Sequence, residues 1–302
     1  MGFNVMGEFA ALITAFLWAG TSIFFTFAGK QIGSQVLNRV RLTLAVLLLS
    51  LTHWFVIGNP FPIDASPERW LWLGLSGLIG LVIGDALLFR SFILIGHRIA
   101  MLIMSLVPAI STIFAWLLLG ETLLFTQILG IGLTIFGVAL VVTDCKNKTP
   151  TQINLKDHWL GLLLAFGGAV GQAVGLIYAK KGLVDNYSAL SGVLIRMISA
   201  MLIVWILALF TKQVKKTFIQ LKNHPDAIKF ITAGAISGPF LGVWLSLIAV
   251  QSSKVGIAST LMALTPIFHL PIGKYLLKEK ITIQAILGTV VAMVGIAIIF
   301  IC

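Results

Sequence analysis

With 59% hydrophobic and only 10% charged residues among 302, this chain is more apolar than a soluble protein of its size. Its net charge of +11 does not indicate a nucleic-acid partner, because the cations lie in short breaks between apolar runs, the positive-inside pattern of membrane proteins. The two cysteines, Cys145 and Cys302, have neither disulfide nor metal-site spacing, so no metal or cofactor is expected.

Ten transmembrane helices are predicted, because the apolar runs have about the 20 residues that a helix needs to cross a bilayer. In chain order they cover 9–28, 36–57, 70–96, 99–119, 123–143, 159–179, 189–210, 230–250, 255–277 and 281–301. The fold class is therefore all-α integral membrane, and a polar linker at 146–158 separates the first five helices from the last five.

The stretch 99–139 occurs again at 257–297, and roughly a third of the paired positions are identical. Pro108 pairs with Pro266 and Glu121 with Glu279. We expect two domains, five-helix repeats at 1–145 and 159–302. An odd number of spans per repeat places the two repeats in opposite orientation, the inverted arrangement of many transporters.

Loops after the odd-numbered spans carry twelve of the sixteen lysines and arginines that lie between spans, which predicts that both termini are outside the cytoplasm. The protein is expected in the inner (cytoplasmic) membrane. One of these loops, 211–229, places Val214, Phe218 and Leu221 at helical spacing among lysines. It is either an amphipathic helix on the leaflet or a solvated loop.

A run of short motifs resembles the EamA branch of the drug/metabolite transporter superfamily. The motifs are Gly84-Asp85, Phe89-Arg90-Ser91-Phe92, Ile95-Gly96, Arg98, Ala100, Leu106-x-Pro108, Leu119-Gly120-Glu121 and, in the second copy, Leu264-Thr265-Pro266 and Leu277-Lys278-Glu279. The resemblance implies two inverted five-helix units around a central cavity. It also implies small substrates, which include metabolites, amino acids, nucleotide-linked sugars and amphipathic drugs.

Asp85 is the only carboxylate near the middle of a predicted span. Since a charge at the bilayer centre is costly, Asp85 should face a cavity or a cation. It either titrates or binds substrate, or forms a structural ion pair. Arg90 lies about 140° away around the same helix, so Arg39 or Arg196 is the expected partner.

Further candidates are polar or aromatic residues within the spans. For each of them the alternative to a functional role is a structural one, namely snorkelling to the headgroups, kinking a helix or packing against neighbours. The substrate-binding or coupling candidates are Asp85, Arg196, Arg39, His269, Trp18, Gln172, Tyr178 and Trp244, and the hinge or broken-helix candidates are Pro108, Pro266, Gly238 and Pro239. Glu121 and Glu279 are interpreted as helix caps. Gly130, Gly137, Gly288 and Gly295 predict close helix contact.

We therefore expect a secondary transporter for a small organic metabolite, an amino acid or an amphipathic solute, working by alternating access in the direction of export. Proton coupling is left open. The chain has no Walker motif that would bind ATP. The alternatives are a channel or non-transporting assembly subunit and, third, an intramembrane enzyme on lipid-linked substrates. Expected partners are the solute and the bilayer, with a monomer or homodimer and no nucleic acid.

Overall fold

The computed structural model describes residues 5–119, 125–148, 155–185, 187–252, 261–275 and 282–301. Every regular element among these residues is helical. Six of the described helices are long and apolar enough to cross a membrane, and two shorter apolar helices lie at Ile128–Leu140 and Ile283–Ile298. The protein is thus a multi-pass helical membrane protein, as the composition predicts.

The described residues of the first half form six α-helices and one π-helical segment. They are α1 (Val5–Ile32), α2 (Ser34–Ile57), α3 (Pro67–Ser76), the π-helical segment π1 (Gly77–Gly84), α4 (Asp85–Met104), α5 (Val107–Leu119) and α6 (Phe125–Lys148). Because π1 continues α3 directly into α4, the predicted third span is one apolar rod with a wider turn in its middle.

The second half has the same order of elements, with one amphipathic helix added. They are α7 (Leu155–Gly182), α8 (Ala189–Phe210), α9 (Val214–Asn223), α10 (Pro225–Ala235), the π-helical segment π2 (Ile236–Gly242), α11 (Val243–Ser252), α12 (Thr265–Tyr275) and α13 (Ile283–Ile301). The two π-helical segments fall at matching positions of the sequence repeat, so the repeat extends to backbone irregularities.

The third and fourth predicted spans divide at Gly96, which is non-helical within α4. Its φ of 79° and ψ of 161° nearly equal the 81° and 154° of Gly33, which joins α1 to α2. A positive φ of this size favours glycine. The fourth predicted span, 99–119, contains a turn at Ser105–Leu106, close to the broken-helix candidate Pro108.

The helices of the two halves contact each other in a reciprocal pattern. α1 contacts α10, π2 and α11, while α7 contacts α3, π1 and α4; α2 packs on α8 and α6 packs on α13. Reciprocal contacts of this kind are those of a two-fold arrangement. The buried residues of α7 are mostly glycine and alanine, which lets the backbones of α7 and π1 approach closely.

Glycines hold α6 and α13 together, as the sequence predicts. A Cβ added to Gly137 would collide with the backbones of Gly288 and Ala292, and one added to Gly295 would lie 2.7 Å from the carbonyl oxygen of Gly130. The predicted caps Glu121 and Glu279 lie outside the described residues.

The 211–229 loop contains a helix, which favours the amphipathic interpretation over a plain solvated loop. Within α9 the Thr217 side chain is buried, Phe218 is exposed and Leu221 packs against a buried apolar cluster. Its lysines leave the opposite face polar. A helix with one apolar and one basic face suits the boundary between lipid and water.

We predict that Gly137→Ala lowers the free energy of unfolding by about 1–3 kcal/mol, because the added methyl group meets backbone that cannot move aside. The control is Gly132→Ala in the same helix, where a Cβ meets no atom within 4 Å. The melting temperature in detergent measures both variants. Equal melting temperatures would show that α6 and α13 are not in close contact.

Candidate functional site

Asp85 is held in the interior by two side chains from two other helices. Arg41 of α2 donates a hydrogen bond from Nη2 to Oδ2 of Asp85 at 2.5 Å, and Gln172 of α7 donates from Nε2 to Oδ1 at 2.6 Å. The side chains of Arg41 and Asp85 are only 3% and 9% exposed. A buried carboxylate is thereby satisfied on both oxygens by groups from both halves of the chain.

The predicted ion-pair partners of Asp85, Arg39 and Arg196, are both wrong, since the cation bonded to it is Arg41. Two residues along a helix turn the side chain by about 200°, so Arg39 and Arg41 face nearly opposite sides of α2. Asn38, one turn before Arg41, accepts a hydrogen bond from its Nε at 2.9 Å. The i, i+3 spacing of Asn38 and Arg41 was the feature of the sequence that could have indicated Arg41 as the partner of Asp85, and it was missed.

The π-helical segment π1 supplies the acceptors around this ion pair. Arg41 Nη2 donates to the carbonyl oxygen of Leu81 at 3.2 Å, and Gln172 Nε2 donates to that of Gly80 at 3.2 Å. A π-helix widens the backbone ladder and often marks a functional position. Here its carbonyl groups are bonded by side chains from α2 and α7, which fixes the start of α4.

Arg196 is a second buried cation near Asp85. It is 2% exposed, and its Nε has no hydrogen-bond partner. It interacts electrostatically with Asp85. Gly80 leaves room beside it, because a Cβ at that position would lie 3.6 Å from Nη2. The cluster therefore contains one carboxylate and two guanidinium groups, which leaves a net positive charge.

A cavity lies between the two halves and has an apolar part and a polar part. Each part comprises about 530–540 Å³ of empty space, which includes space open to the surroundings. Pro108 and Pro266 both line the apolar part, and Arg41 and Asp85 line the polar part. The parts share four lining residues, Trp18, Met101, Met104 and Gln172.

The helices that carry the two prolines are broken at matching places. Turns occur at Ser105–Leu106 and at Ala263–Leu264, which are equivalent in the repeat. Pro266 cannot donate to the carbonyl of Met262, and the hydroxyl of Thr265 donates to that carbonyl instead, at 2.9 Å. The irregular backbone is thus satisfied by protein where it borders a cavity.

The other hinge candidates, Gly238 and Pro239, lie in π2 and line the polar part of the cavity. Here α1 comes close: a Cβ on Gly238 would lie 2.5 Å from Cγ2 of Thr21, and Thr21 is hydrogen-bonded to Ser237 at 2.8 Å. Both π-helical segments therefore border the polar part, π1 through Leu81 and π2 through Gly238 and Pro239.

Five of the binding or coupling candidates lie outside the lining of the central cavity, and Arg196, described above, is one of them. His269 approaches the Ser22 hydroxyl at 3.0 Å, with its ring centroid 5.1 Å from that of His97. Tyr178 stacks on Trp72, and Trp244 packs beside Phe240. Arg39 lines a separate cleft.

Sequence reasoning missed the methionines of the cavity wall, although Met104 and Met262 are matched in the repeat.

No group of histidine, cysteine, aspartate or glutamate residues suited to a metal ion occurs in the part of the chain that the structure describes. The arrangement can enclose a small solute, contact its apolar portion with methionine and tryptophan, and bind its charged portion through guanidinium and carboxylate groups. The fold and site together define a multi-pass membrane protein with a solute-sized cavity between two repeated halves.

The chain belongs to the EamA-like transporter family. The family profile matches it twice, over residues 5–143 and 159–301, which together make up nearly the whole chain. This confirms the resemblance seen in the sequence motifs and identifies a membrane transporter of the drug/metabolite transporter superfamily. No curated protein matches the chain.

Solved structures support the fold. One crystal structure of a protein is similar over 96% of this chain and 95% of its own length, with a TM-score of 0.63 and 15% sequence identity. At this identity the similarity shows a shared fold alone.

We predict that Arg41→Met lowers the free energy of unfolding by about 3–5 kcal/mol, because it leaves the Asp85 carboxylate buried without its bonded cation. The double variant Arg41→Met/Asp85→Asn should recover part of this loss, since neither charge remains unpaired. Denaturation of the purified protein in detergent measures the free energy of unfolding of the wild type, the two single variants and the double variant. Strictly additive losses would contradict a direct interaction.

Proposed function

We propose that this protein is a secondary transporter that moves a small organic metabolite across the cytoplasmic membrane by alternating access. The observation that carries the proposal is that Pro108 and Pro266, one from each half, line the same cavity. A binding site between two repeats, next to broken helices, is the common arrangement of such transporters.

The cavity chemistry favours an amphipathic solute such as an amino acid. Its apolar part is lined by Leu176 and by methionines, while Arg41, Asp85 and Gln172 lie at its polar part. Two guanidinium groups against one carboxylate attract an anionic group such as a substrate carboxylate. Trp18, which borders both parts, would then cover the apolar portion of the solute.

Alternating access would come from one five-helix unit rocking against the other. We propose ten spans in two inverted units, at 1–145 and 159–302, joined by the linker 146–158. The turns before Pro108 and Pro266 and the two π-helical segments are the places where the backbone could bend at low cost. We further propose that the direction of transport is export and that both termini lie outside the cytoplasm.

A carrier shows saturable flux and counterflow in proteoliposomes. The test solute is chosen beforehand from amino acids and amphipathic metabolites by its ability to raise the melting temperature of the protein. We predict that Leu176→Trp reduces counterflow at least about tenfold, because a larger ring occupies the space where solute is bound. The control is Leu163→Trp, whose side chain faces outward from the same helix. Flux that never saturates would favour a channel, and equal flux in both variants would place the solute elsewhere.

Proton coupling through Asp85 is a separate hypothesis. We predict that Asp85→Asn abolishes the pH dependence of counterflow, because an amide cannot exchange a proton in this range. Asp226→Asn is the control, since Asp226 is exposed and pairs with Lys229 at the surface. If transport by Asp85→Asn keeps the wild-type pH profile, Asp85 has a structural role and coupling lies elsewhere.

A further inference from the structure

A second, basic cleft lies away from the central cavity, where α1 ends and α2 begins. It comprises about 970 Å³ of empty space, which includes space open to the surroundings. Residues 32–36 of the α1–α2 junction form one side, α4 and α7 form the wall, and α9 lies at the opening. Both halves of the chain contribute to it. By the distribution of lysine and arginine, this end of the bundle is the predicted cytoplasmic face.

Three cations line this cleft, and no carboxylate is among the described residues that line it. The cations are Arg39 of α2, Arg90 of α4 and Lys216 of α9. Arg39 is only 5% exposed, and its Nε has no hydrogen-bond partner. A nearly buried guanidinium group with an unsatisfied N–H is costly unless an anion binds it. Its position among two further cations indicates where that anion would lie.

The backbone adds to the positive character of the cleft. The 24-residue helix α2 begins here, and its N-cap is Gly33, so no side chain caps its first turn. The free N–H groups of a helix start, together with the helix dipole, favour an anion at this position. Arginine side chains and such N–H groups form the usual binding set for a phosphate group.

Apolar residues also line the cleft, together with Ser34, Gln35 and Gln213. This apolar lining favours a lipid over a free anion as the ligand. Ile32, Val36, Leu87 and Leu164 line it beside the cations. The neighbouring helix α9 presents Phe218 and Ile219 outward, as an interfacial helix would. A ligand with a phosphate group and a long apolar portion fits both the basic and the apolar parts of the cleft.

We propose that this cleft binds the phosphate headgroup of an anionic phospholipid, with Arg39, Arg90 and Lys216 as its cationic ligands. The lipid would bridge α2 and α4 of the first half to α7 and α9 of the second. It would therefore link the two halves at a place distinct from the central cavity, so its test does not depend on the transported solute.

Native mass spectrometry of the detergent-solubilised protein, titrated with phosphatidylglycerol, measures this binding. We predict that Arg90→Gln/Lys216→Gln weakens it by about fivefold for each cation removed, as expected for basic residues near an anionic membrane. Arg39→Gln should weaken it as well. The control Lys212→Gln/Lys222→Gln removes the same charge from residues outside the cleft and should leave binding unchanged.

Two further probes identify the source of the phosphate. Phosphatidylcholine, which has the phosphate but no net charge, should bind more weakly than phosphatidylglycerol. Inorganic phosphate should not raise the melting temperature at concentrations where phosphatidylglycerol does. The proposal is overturned if both double variants lose binding equally, if phosphatidylcholine binds as tightly, or if inorganic phosphate stabilises the protein to the same extent. Because Arg90 and Lys216 are exposed, their double variant should remain folded even if Arg39→Gln does not.

Discussion

The ion pair between Asp85 and Arg41 determines how the central helices can pack. A lone carboxylate in the bilayer centre costs about 2.5–3.5 kcal/mol on insertion scales, so α4 must keep Asp85 against α2. Gln172 of α7 bonds the other carboxylate oxygen, and Arg196 of α8 lies near enough to act on its charge. The charged cluster thus ties together helices from both halves, beside the space where the halves meet.

The π-helical segments explain how a polar cluster is accommodated within apolar helices. The carbonyl groups of π1 at Gly80 and Leu81 accept hydrogen bonds from Gln172 and Arg41. Glycine at 77 is required there, because a Cβ would lie 2.5 Å from the carbonyl oxygen of Arg196. The same glycine-rich stretch therefore has two consequences. The backbone of π1 can approach α8 closely, and its carbonyl groups accept hydrogen bonds from α2 and α7.

Most of the membrane architecture could be predicted from the sequence, because the apolar length of each span and the repeat of Pro108 at Pro266 are local signals. The partner of Asp85 could not. Arg39 and Arg41 have similar depth in the sequence, and the choice between them depends on how α2 is rotated against α4, which only tertiary packing determines. His269 was chosen for its place one turn beyond Pro266, but its side chain turns toward Ser22 and His97.

The two halves match in backbone but not in charge. π1 is followed by Asp85, whereas the equivalent position after π2 is Val243. Broken helices and wide turns are therefore present on both sides of the cavity, while the carboxylate belongs to one side only. Under the proposed alternating-access mechanism, the repeated backbone irregularities would allow both units to bend, and the single charged cluster would provide one binding position. A solute held at Arg41 and Asp85 would stay with α2 and α4, and the wall formed by π2 and Trp18 is the part that would have to move past it.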